Sequence, residues 1–550
     1  MAWSKYQEAI FDFIKNQNGS LVVNAVAGSG KTTTIVQGAK IASEMNKSVL
    51  FLAFNKSIAT ELSKRMEGTG IECKTLHSHG FRAIQKKLQY KCKVDDKKWN
   101  KYVLDNKEIL LNNLSEEDEN HIDAYISETI KLLNLARINL IKNNDFESLE
   151  GIVEHHNLII DNQQLTIVNN ILGFCYRLDS VVDFTDMVVL PSFDYLNRYL
   201  PKYDIIFVDE AQDLSTAQRE LVLKSLKPNG RFVAVGDRQQ AINGFAGADV
   251  DSFNTLADIA GNELPLSVCY RCGKKIIEKA KEIVPQIEAF ENSPDGEVVS
   301  QTDMKDIKIG DMVLSRKSAP LVGLCLRLIA KGNAAVIKGK DISEGLKAMI
   351  KRGNCKNVET LLTRLNKEID KVKKKLEKKK EKGNLKGDIE NQPEYVNVVD
   401  KVNCIKIISE NCKTVEDIIL KLDSLFDDTK NDKVITLSTI HKAKGLEADN
   451  TYIILPGNIP MTYKDQQQWE YEQELNLKYV AITRAKKRLI WVNLDEKGLK
   501  MVEVPVSEEI RKKELEKEQK TKEAKEKKKR SSRSKKSEVI DFDDYFDKIS

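Results

Sequence analysis

Long apolar sequence is what this chain most conspicuously lacks. Its longest apolar stretches, such as Leu21 to Val26 and Ile205 to Val208, fall far short of a membrane span. The N-terminus, Met-Ala-Trp-Ser-Lys, has no basic region followed by an apolar segment, which argues against secretion. The cysteines number nine, an odd count without regular spacing, so a reducing, cytoplasmic setting is expected. Cys269-x-x-Cys272 has metal-ligand spacing, but no second Cys or His pair stands nearby, and Cys73 and Cys92 are distant. The pair therefore reads as two small, semi-buried thiols. His155-His156 has no acidic or cysteine partner at helical spacing and reads as surface. No nuclease-type cluster of acids follows Arg484.

A strong overall charge is also missing. The net value is +5, yet residues 511 to 536 hold 14 Lys/Arg against 5 Glu, while residues 537 to 550 hold 5 acids against Lys548. The rest of the chain is neutral overall, so any polyanion it binds is held by local grooves rather than by a global field. The segment from Glu508 to Lys536 cannot bury a core and is expected to be a frayed helix leading into disorder. Asp541-Phe-Asp-Asp-Tyr-Phe546 after it has the composition of a short docking peptide.

With 550 residues and 41% hydrophobic content, the chain is long enough for several cores. Short β-branched runs alternate with helical patterns. They are Leu21–Val26, Val49–Ala53, Asp204–Val208, Phe232–Gly236, Asp311–Ser315, Ala334–Lys338, Val434–Ser438, Tyr452–Leu455 and Leu489–Asn493. That alternation predicts parallel sheets with both faces covered. Two mainly helical segments interrupt it, at about Ile84 to Val182 and Ser343 to Asn431. In the second, Leu362, Leu365, Ile369, Val372 and Leu376 keep 3,4 spacing. Gly383 and Gly387 break the pattern, and Val399, Val402 and Ile405 resume it, which predicts a long two-helix hairpin.

The chemistry begins at Ala25-Val-Ala-Gly-Ser-Gly-Lys-Thr32. A strand ends at Val26, Gly28, Ser29 and Gly30 let the backbone wrap an anion, and Lys31 and Thr32 open a helix. Lysine suits the outer phosphates of a nucleotide, and a hydroxyl suits Mg²⁺. Ala25 stands where the usual P-loop pattern has its first glycine. Downstream, Asp209-Glu-Ala-Gln-Asp213 ends an apolar strand, where Asp209 can hold Mg²⁺ and Glu210 can orient or deprotonate water.

Together with further motifs in order, these resemble a compact superfamily 1 DNA helicase of the UvrD/Rep type. Lys5-Tyr-Gln7 resembles its Q motif, which implies that Gln7 reads adenine. Ala53-Phe-Asn-Lys56 and Thr75-Leu-His77 resemble single-strand contact motifs, implying Phe54, Asn55, Thr75 and His77. Gly236-Asp237-Arg-Gln-Gln240-Ala-Ile-Asn-Gly-Phe245 resembles the motif coupling the γ-phosphate to DNA, with Gln240 as sensor and Phe245 stacking on a base. An aromatic there suits sequence-independent tracking. Where close relatives carry an aromatic, then Trp and Arg, this chain has Asn243, Phe245 and Ala246. Tyr270 would stack on adenine and Arg271 would touch the γ-phosphate. Ser315-Arg316 falls where the family touches DNA or packs its second core. Thr439-Ile-His441-Lys-Ala-Lys-Gly445-Leu-Glu447 resembles a second-core motif, implying Thr439 and His441 on DNA and Glu447 near the ribose. Tyr479-Val-Ala-Ile-Thr-Arg484-Ala makes Arg484 a second arginine finger.

The resemblance implies an α/β fold with two RecA-like P-loop NTPase cores in tandem, each carrying a mainly helical insertion, and a disordered charged C-terminal tail. The first core takes residues 1–84 and 185–273 around an insertion at 85–184. The second takes 274–342 and 432–500 around a hairpin-bearing insertion at 343–431, and the tail is 501–550. The implied cofactors are ATP, held by Gln7, Ala27, Gly28, Ser29, Gly30, Lys31, Thr32, Thr33, Tyr270, Arg271, Glu447 and Arg484, and Mg²⁺, held by Thr32 and Asp209. Lys31, Asp209, Glu210, Gln240, Arg271 and Arg484 would be catalytic. The implied activity is ATP-driven 3′ to 5′ movement on single-stranded DNA with duplex unwinding in replication, repair or recombination. A translocase that strips proteins, an RNA-directed motor and a non-motor ATP switch or scaffold are the alternatives. Partners would be single strands and duplex junctions, no membrane, and through the tail a replication or repair protein.

Overall fold

The computed structural model describes residues 3–105, 122–156, 158, 160–242, 252–301, 304–352, 355–381, 388–428, 433–462 and 466–493. Asn243, Phe245, Ala246, Gly383, Gly387 and the whole charged tail lie outside these residues. The described residues fall into two compact units. One takes those of Met1–Lys340 and Leu425–Leu499 with Asp388, the other those of Asp341–Leu385 and Ile389–Ser424.

The first unit contains two six-stranded parallel sheets. Strands β1 (Leu21–Ala25), β2 (Val49–Ala53), β3 (Glu72–Thr75), β4 (Tyr203–Val208), β5 (Leu226–Gly236) and β6 (Glu263–Leu266) form the first, in the order β3-β2-β4-β5-β1-β6. Strands β7 (Glu297–Gln301), β8 (Met312–Ser315), β9 (Ala335–Ile337), β10 (Ile435–Thr439), β11 (Ala448–Ile454) and β12 (Ala485–Val492) form the second, in the order β7-β12-β11-β8-β10-β9. All nine β-branched runs of the sequence are strands here.

Alternation within the first sheet explains why its strands read as unbroken apolar runs. Val22, Leu50, Leu52, Ile206 and Val208 pack on one face, and Leu21, Val23, Phe51, Ile205 and Phe207 on the other. Both faces are covered by helices, so neither can be polar. A third apolar cluster starts at Val26, Ala27 and Ile242 and continues through Cys269 and Cys272 into Leu314, Tyr479, Ala481 and Leu489 of the second sheet's layer. The two sheets are thus joined by packing at the end of β1.

Helix starts follow local signals. Ser4 with Gln7, Asp161 with Gln164, and Ser215 with Gln218 each form reciprocal side-chain to backbone caps. The first interruption holds the helices Lys98–Asp105, Ile122–Ile138, Phe146–His155 and Asn162–Cys175 around their own core of Trp99, Leu132, Leu149, Val168 and Leu172. His155-His156, expected at the surface, is half-buried instead. The His155 ring stacks on Trp469, with centroids 4.6 Å apart and planes 18° from parallel. In the second unit, a Lys375–Glu394 ion pair ties the helix Val358–Glu381 to the helix Pro393–Ser409, and Lys373 pairs with Glu390 in the turn Ile389–Asn391 before it. Among the described residues, no helix is long and apolar enough to cross a membrane.

Gly80, on the helix Leu76–Lys87, lies against the segment that follows Phe184. A Cβ there would stand 2.0 Å from the Met187 carbonyl oxygen and 3.3 Å from Leu221 Cδ2. Backbone cannot yield as a side chain can, so Gly80→Ala is expected to destabilise by about 1–3 kcal/mol. Thermal or urea unfolding checks this, and an unchanged midpoint contradicts it.

Candidate nucleotide and strand site

The loop after β1 needs glycine for two separate reasons. Gly28 and Gly30 have φ of 68° and 78°, and a Cβ on Gly28 would lie 2.7 Å from Arg271 Cβ and 2.9 Å from Cys269 Sγ. Gly30 caps the helix Lys31–Glu44 with no side-chain bond, so the helix's first N–H groups are left for an anion. Ser29 is fully buried and its hydroxyl has no partner. An uncapped helix start beside an orphaned buried hydroxyl fits a phosphate group. Thr33 is exposed. Gln7 is buried, donating from Nε2 to Thr34 Oγ1 (2.9 Å) and accepting from Ser4 N–H (3.0 Å). One N–H and one lone pair of its amide remain for a base.

The carboxylates stand at the end of β4. Asp209 accepts from Thr32 Oγ1 at 3.3 Å and from Glu210 N–H at 2.9 Å, which brings together the two residues expected to hold Mg²⁺. Burial, and then the charge of Glu210, push the Asp209 carboxyl up to about 6 despite Lys31. Burial acts against Glu210 too, but Lys31 and Lys444 overcome it and hold Glu210 down at about 2. Glu210 sits at φ 52°, a backbone conformation rare for a residue with a side chain. Its Oε2 lies 3.5 Å from Lys31 Nζ and accepts from Gln212 Nε2 at 2.6 Å. The other face of the Gln212 amide accepts from Asp237 N–H at 3.0 Å. Gln240 Nε2 in turn donates to Asp237 Oδ2 at 2.7 Å. Burial opposes charge on Lys31, but Glu210, Asp237, Asp209 and Asp213 together raise its pKa.

The second sheet's layer completes this pocket. Ala27 N–H donates to the Tyr479 phenol at 2.8 Å, and that phenol reaches Asp237 Oδ2 at 3.4 Å. Lys444 pairs with Asp213, lies 4.0 Å from Glu210 Oε2 and donates to the Gln240 carbonyl at 3.0 Å. Tyr479 and Lys444 were not assigned roles from the sequence, although both stand inside its motifs. Lys444 between Ala443 and Gly445, and Tyr479 between Lys478 and Val480, gave no sign of reaching across to another sheet. Tyr270 N–H donates to the Gly28 carbonyl at 2.9 Å. Its ring lies 5.0 Å from that of Phe290. Arg271 Nε pairs with Glu447 at 2.6 Å and Nη1 donates to the Thr483 carbonyl at 3.3 Å. Arg484 is 2% exposed and donates to the Val480 and Leu446 carbonyls. Burial and the neighbouring Arg271 lower its pKa to about 10. A buried guanidinium beside a half-buried one favours an anion.

The residues expected on a strand divide. Phe54 is 42% exposed. Asn55 and Thr75 spend their side-chain oxygens on the N-caps of the helices Lys56–Arg65 and Leu76–Lys87. His77 is half-buried, and burial lowers its pKa. Arg316 makes a forked pair with Glu474, at 3.0 Å from Nε and 2.7 Å from Nη2, so its guanidinium ties β8 to the helix Gln468–Ile482. Thr439 is buried at the end of β10. Burial, with Arg316 and Lys442 beside it, pushes His441 down to about 3. One aromatic was missed. Phe184 is 50% exposed and meets His77 edge-on, with centroids 6.4 Å apart.

Residues 6–259 match the family model of the UvrD/REP helicase N-terminal domain, and residues 435–492 that of the UvrD-like helicase C-terminal domain. Among curated proteins, the chain is similar to F-box DNA helicase protein 1 of Schizosaccharomyces pombe, 24% identical over 88% of this chain and 56% of that one. It is 24% identical to a probable DNA helicase II homolog of Mycoplasma pneumoniae over 86% of this chain and 82% of that one. It is also 24% identical to the ATP-dependent DNA helicase PcrA of Staphylococcus aureus over 56% of this chain and 43% of that one. The chain thus spans about half the length of the first and third of these relatives.

The Asp209 carboxyl has its folded value above its ordinary 3.8, at about 6. Between those values the folded protein holds more protons than the unfolded chain, so this group's contribution falls as pH rises through that window. Asp209→Asn is therefore expected to raise the unfolding midpoint of nucleotide-free protein at about pH 7.5, with the gain shrinking toward about pH 4. Thermal scans at both pH values check it, and a lower midpoint at the higher pH contradicts it.

Proposed function

Since this chain belongs to the UvrD/Rep helicase family, we propose that it is an ATP- and Mg²⁺-dependent DNA helicase moving 3′ to 5′ along one strand and separating duplex. The observation that carries the reading is the shared pocket, in which Ala27 bonds to Tyr479 and Lys444 pairs with Asp213. A pocket built by both sheets lets nucleotide state and sheet separation depend on each other.

The chain's own groups divide the work. Ala27, Gly28, Ser29 and Gly30 wrap phosphates with backbone N–H groups, and Gln7 and Tyr270 take the base. Thr32 and Asp209 would hold Mg²⁺, which supplies charge neutralisation at a phosphate chain whose terminal bond is the one cleaved. Glu210, ionised over the physiological range, orients the attacking water and accepts its proton. Lys31, Gln240, Arg271 and Arg484 stabilise charge on the outer phosphate from both sides. Arg484 is prepared for this because its present partners are mainly carbonyls. Phe54, Phe184 and His77 offer aromatic faces to a strand, which gives sequence-independent grip; Phe245, outside the described residues, is assigned the same role on its motif alone. Thr75, Thr439, His441 and Asn55 line the backbone path, and the 3′ to 5′ polarity follows the family. A cytoplasmic setting suits the nine free cysteines.

Oligo-dT is expected to stimulate ATP turnover, and Lys31→Ala to abolish it. Arg484→Ala is expected to lower strand-stimulated kcat by on the order of 10³ while nucleotide still binds. Duplex with a 3′ overhang should be unwound and duplex with a 5′ overhang should not. Turnover indifferent to any strand contradicts the motor, stimulation by RNA alone contradicts the DNA assignment, and stimulation without unwinding leaves a translocase.

A further inference from the structure

Arg137 ends the insertion helix Ile122–Ile138 and is fully buried. Its fork donates from Nη1 to Asp183 Oδ2 (2.7 Å) and from Nη2 to Asp183 Oδ1 (2.8 Å) and Asp186 Oδ1 (2.7 Å). The two carboxylates also clasp each other's backbone. Asp183 N–H donates to Asp186 Oδ2 at 3.0 Å, and Asp186 N–H donates to Asp183 Oδ1 at 2.6 Å. Phe184 and Thr185 are the residues held inside that clasp. Lys98 adds a second cation, 3.6 Å from Asp186 Oδ2, and donates to the Val181 carbonyl at 2.7 Å.

As a source of stability this arrangement is poor. Buried ion clusters must offset a large desolvation cost, and apolar replacements of similar volume often do as well or better. Arg137 even leaves its Nε without a partner. What the fork does provide is geometry, since a planar guanidinium bonded to both ends of a turn fixes the turn's backbone. The large apolar group that this turn presents to solvent is Phe184, edge-on to His77 at 86°.

Building on the strand-tracking reading above, we propose that Arg137 is a positioning residue for the strand platform. From within the helical insertion it sets the angle at which the Phe184 ring meets a base of single-stranded nucleic acid. The seating of the insertion and the grip on the strand are then one equilibrium. The insertion becomes a regulator of strand affinity as well as a packed domain.

Arg137→Met alone leaves two buried carboxylates short of a partner and can unfold the insertion. The deciding variant is therefore Arg137→Met/Asp183→Asn/Asp186→Asn, which removes the fork's three charges together and leaves Lys98 beside Asp179, 3.7 Å away. Its unfolding midpoint reports whether the fold is kept. Binding of fluorescent oligo-dT without nucleotide, followed by anisotropy, is expected to weaken about tenfold, the scale of one lost base–aromatic stack. A strand carrying 2-aminopurine should also lose its stacking quench. Phe184→Ala should weaken binding similarly, and adding it to the triple variant should cost little more. A folded triple variant with unaltered affinity, or full additivity with Phe184→Ala, overturns the proposal. If the midpoint falls sharply, the single Asp183→Asn variant gives the same comparison with Phe184→Ala. Because these measurements use no turnover, they decide the point even if strands fail to stimulate ATPase, which would count against the motor alone.

Discussion

Charge balance in one buried cleft constrains everything else in the larger unit. Asp209, Glu210, Asp213 and Asp237 are drawn together at the ends of β4 and β5, where water is scarce. The first sheet answers with Lys31, and the second answers with Lys444, through its pairing with Asp213. Burying that many carboxylates on one sheet is tolerable only while cations are held against them. The second sheet therefore has to stand close, and the apolar cluster running from Val26 to Tyr479 shows the packing that follows.

Arg271 and Arg484 invert this logic. They are cations held near each other beside the loop after β1, with Glu447 taken by Arg271 and carbonyls taken by Arg484. An acid-rich wall with Lys31 on one side and a guanidinium pair on the other leave complementary places for a metal ion and a polyanion. One chemical event between them can shift the balance of attraction across both sheets. The helix Gln468–Ile482 is well placed to transmit it. It carries Glu474 against Arg316, Asn476 against the Ala241 carbonyl (3.2 Å) and Tyr479 against Ala27, and it ends just before Arg484.

The interior strands were legible in the sequence because burial on both faces leaves a continuous β-branched signature. Three strands of the two six-stranded sheets were not, β3 (Glu-Cys-Lys-Thr), β6 (Glu-Leu-Pro-Leu) and β7 (Glu-Val-Val-Ser-Gln), and all three are sheet edges. An edge is half exposed and tolerates Pro, Lys and Glu, so the apolar run that marks an interior strand does not form. The site was legible in the same uneven way. Lys31, Thr32, Asp209 and Glu210 sit at strand ends whose order in the chain predicts their meeting. Lys444 and Tyr479 come from the other sheet, and their partners are hundreds of positions away. His155 was misread for the same reason, since Trp469, on which it stacks, is remote in sequence. Phe184 was overlooked because one exposed aromatic between two acids looks like any turn until its neighbours are seen.

In the motor proposed above, both sheets hold one nucleotide and move with it. Lys47, after the helix Lys31–Glu44, and Lys331, after the helix Ser318–Ala330, are exposed on the two halves. Spin labels placed there through unnatural amino acids avoid the nine native cysteines. Pulsed EPR should report a shorter, narrower distance distribution when a non-hydrolysable ATP analogue and Mg²⁺ are added, and Arg484→Ala should remove the shift. An identical distribution with and without the analogue, under conditions where binding is saturated, contradicts the account.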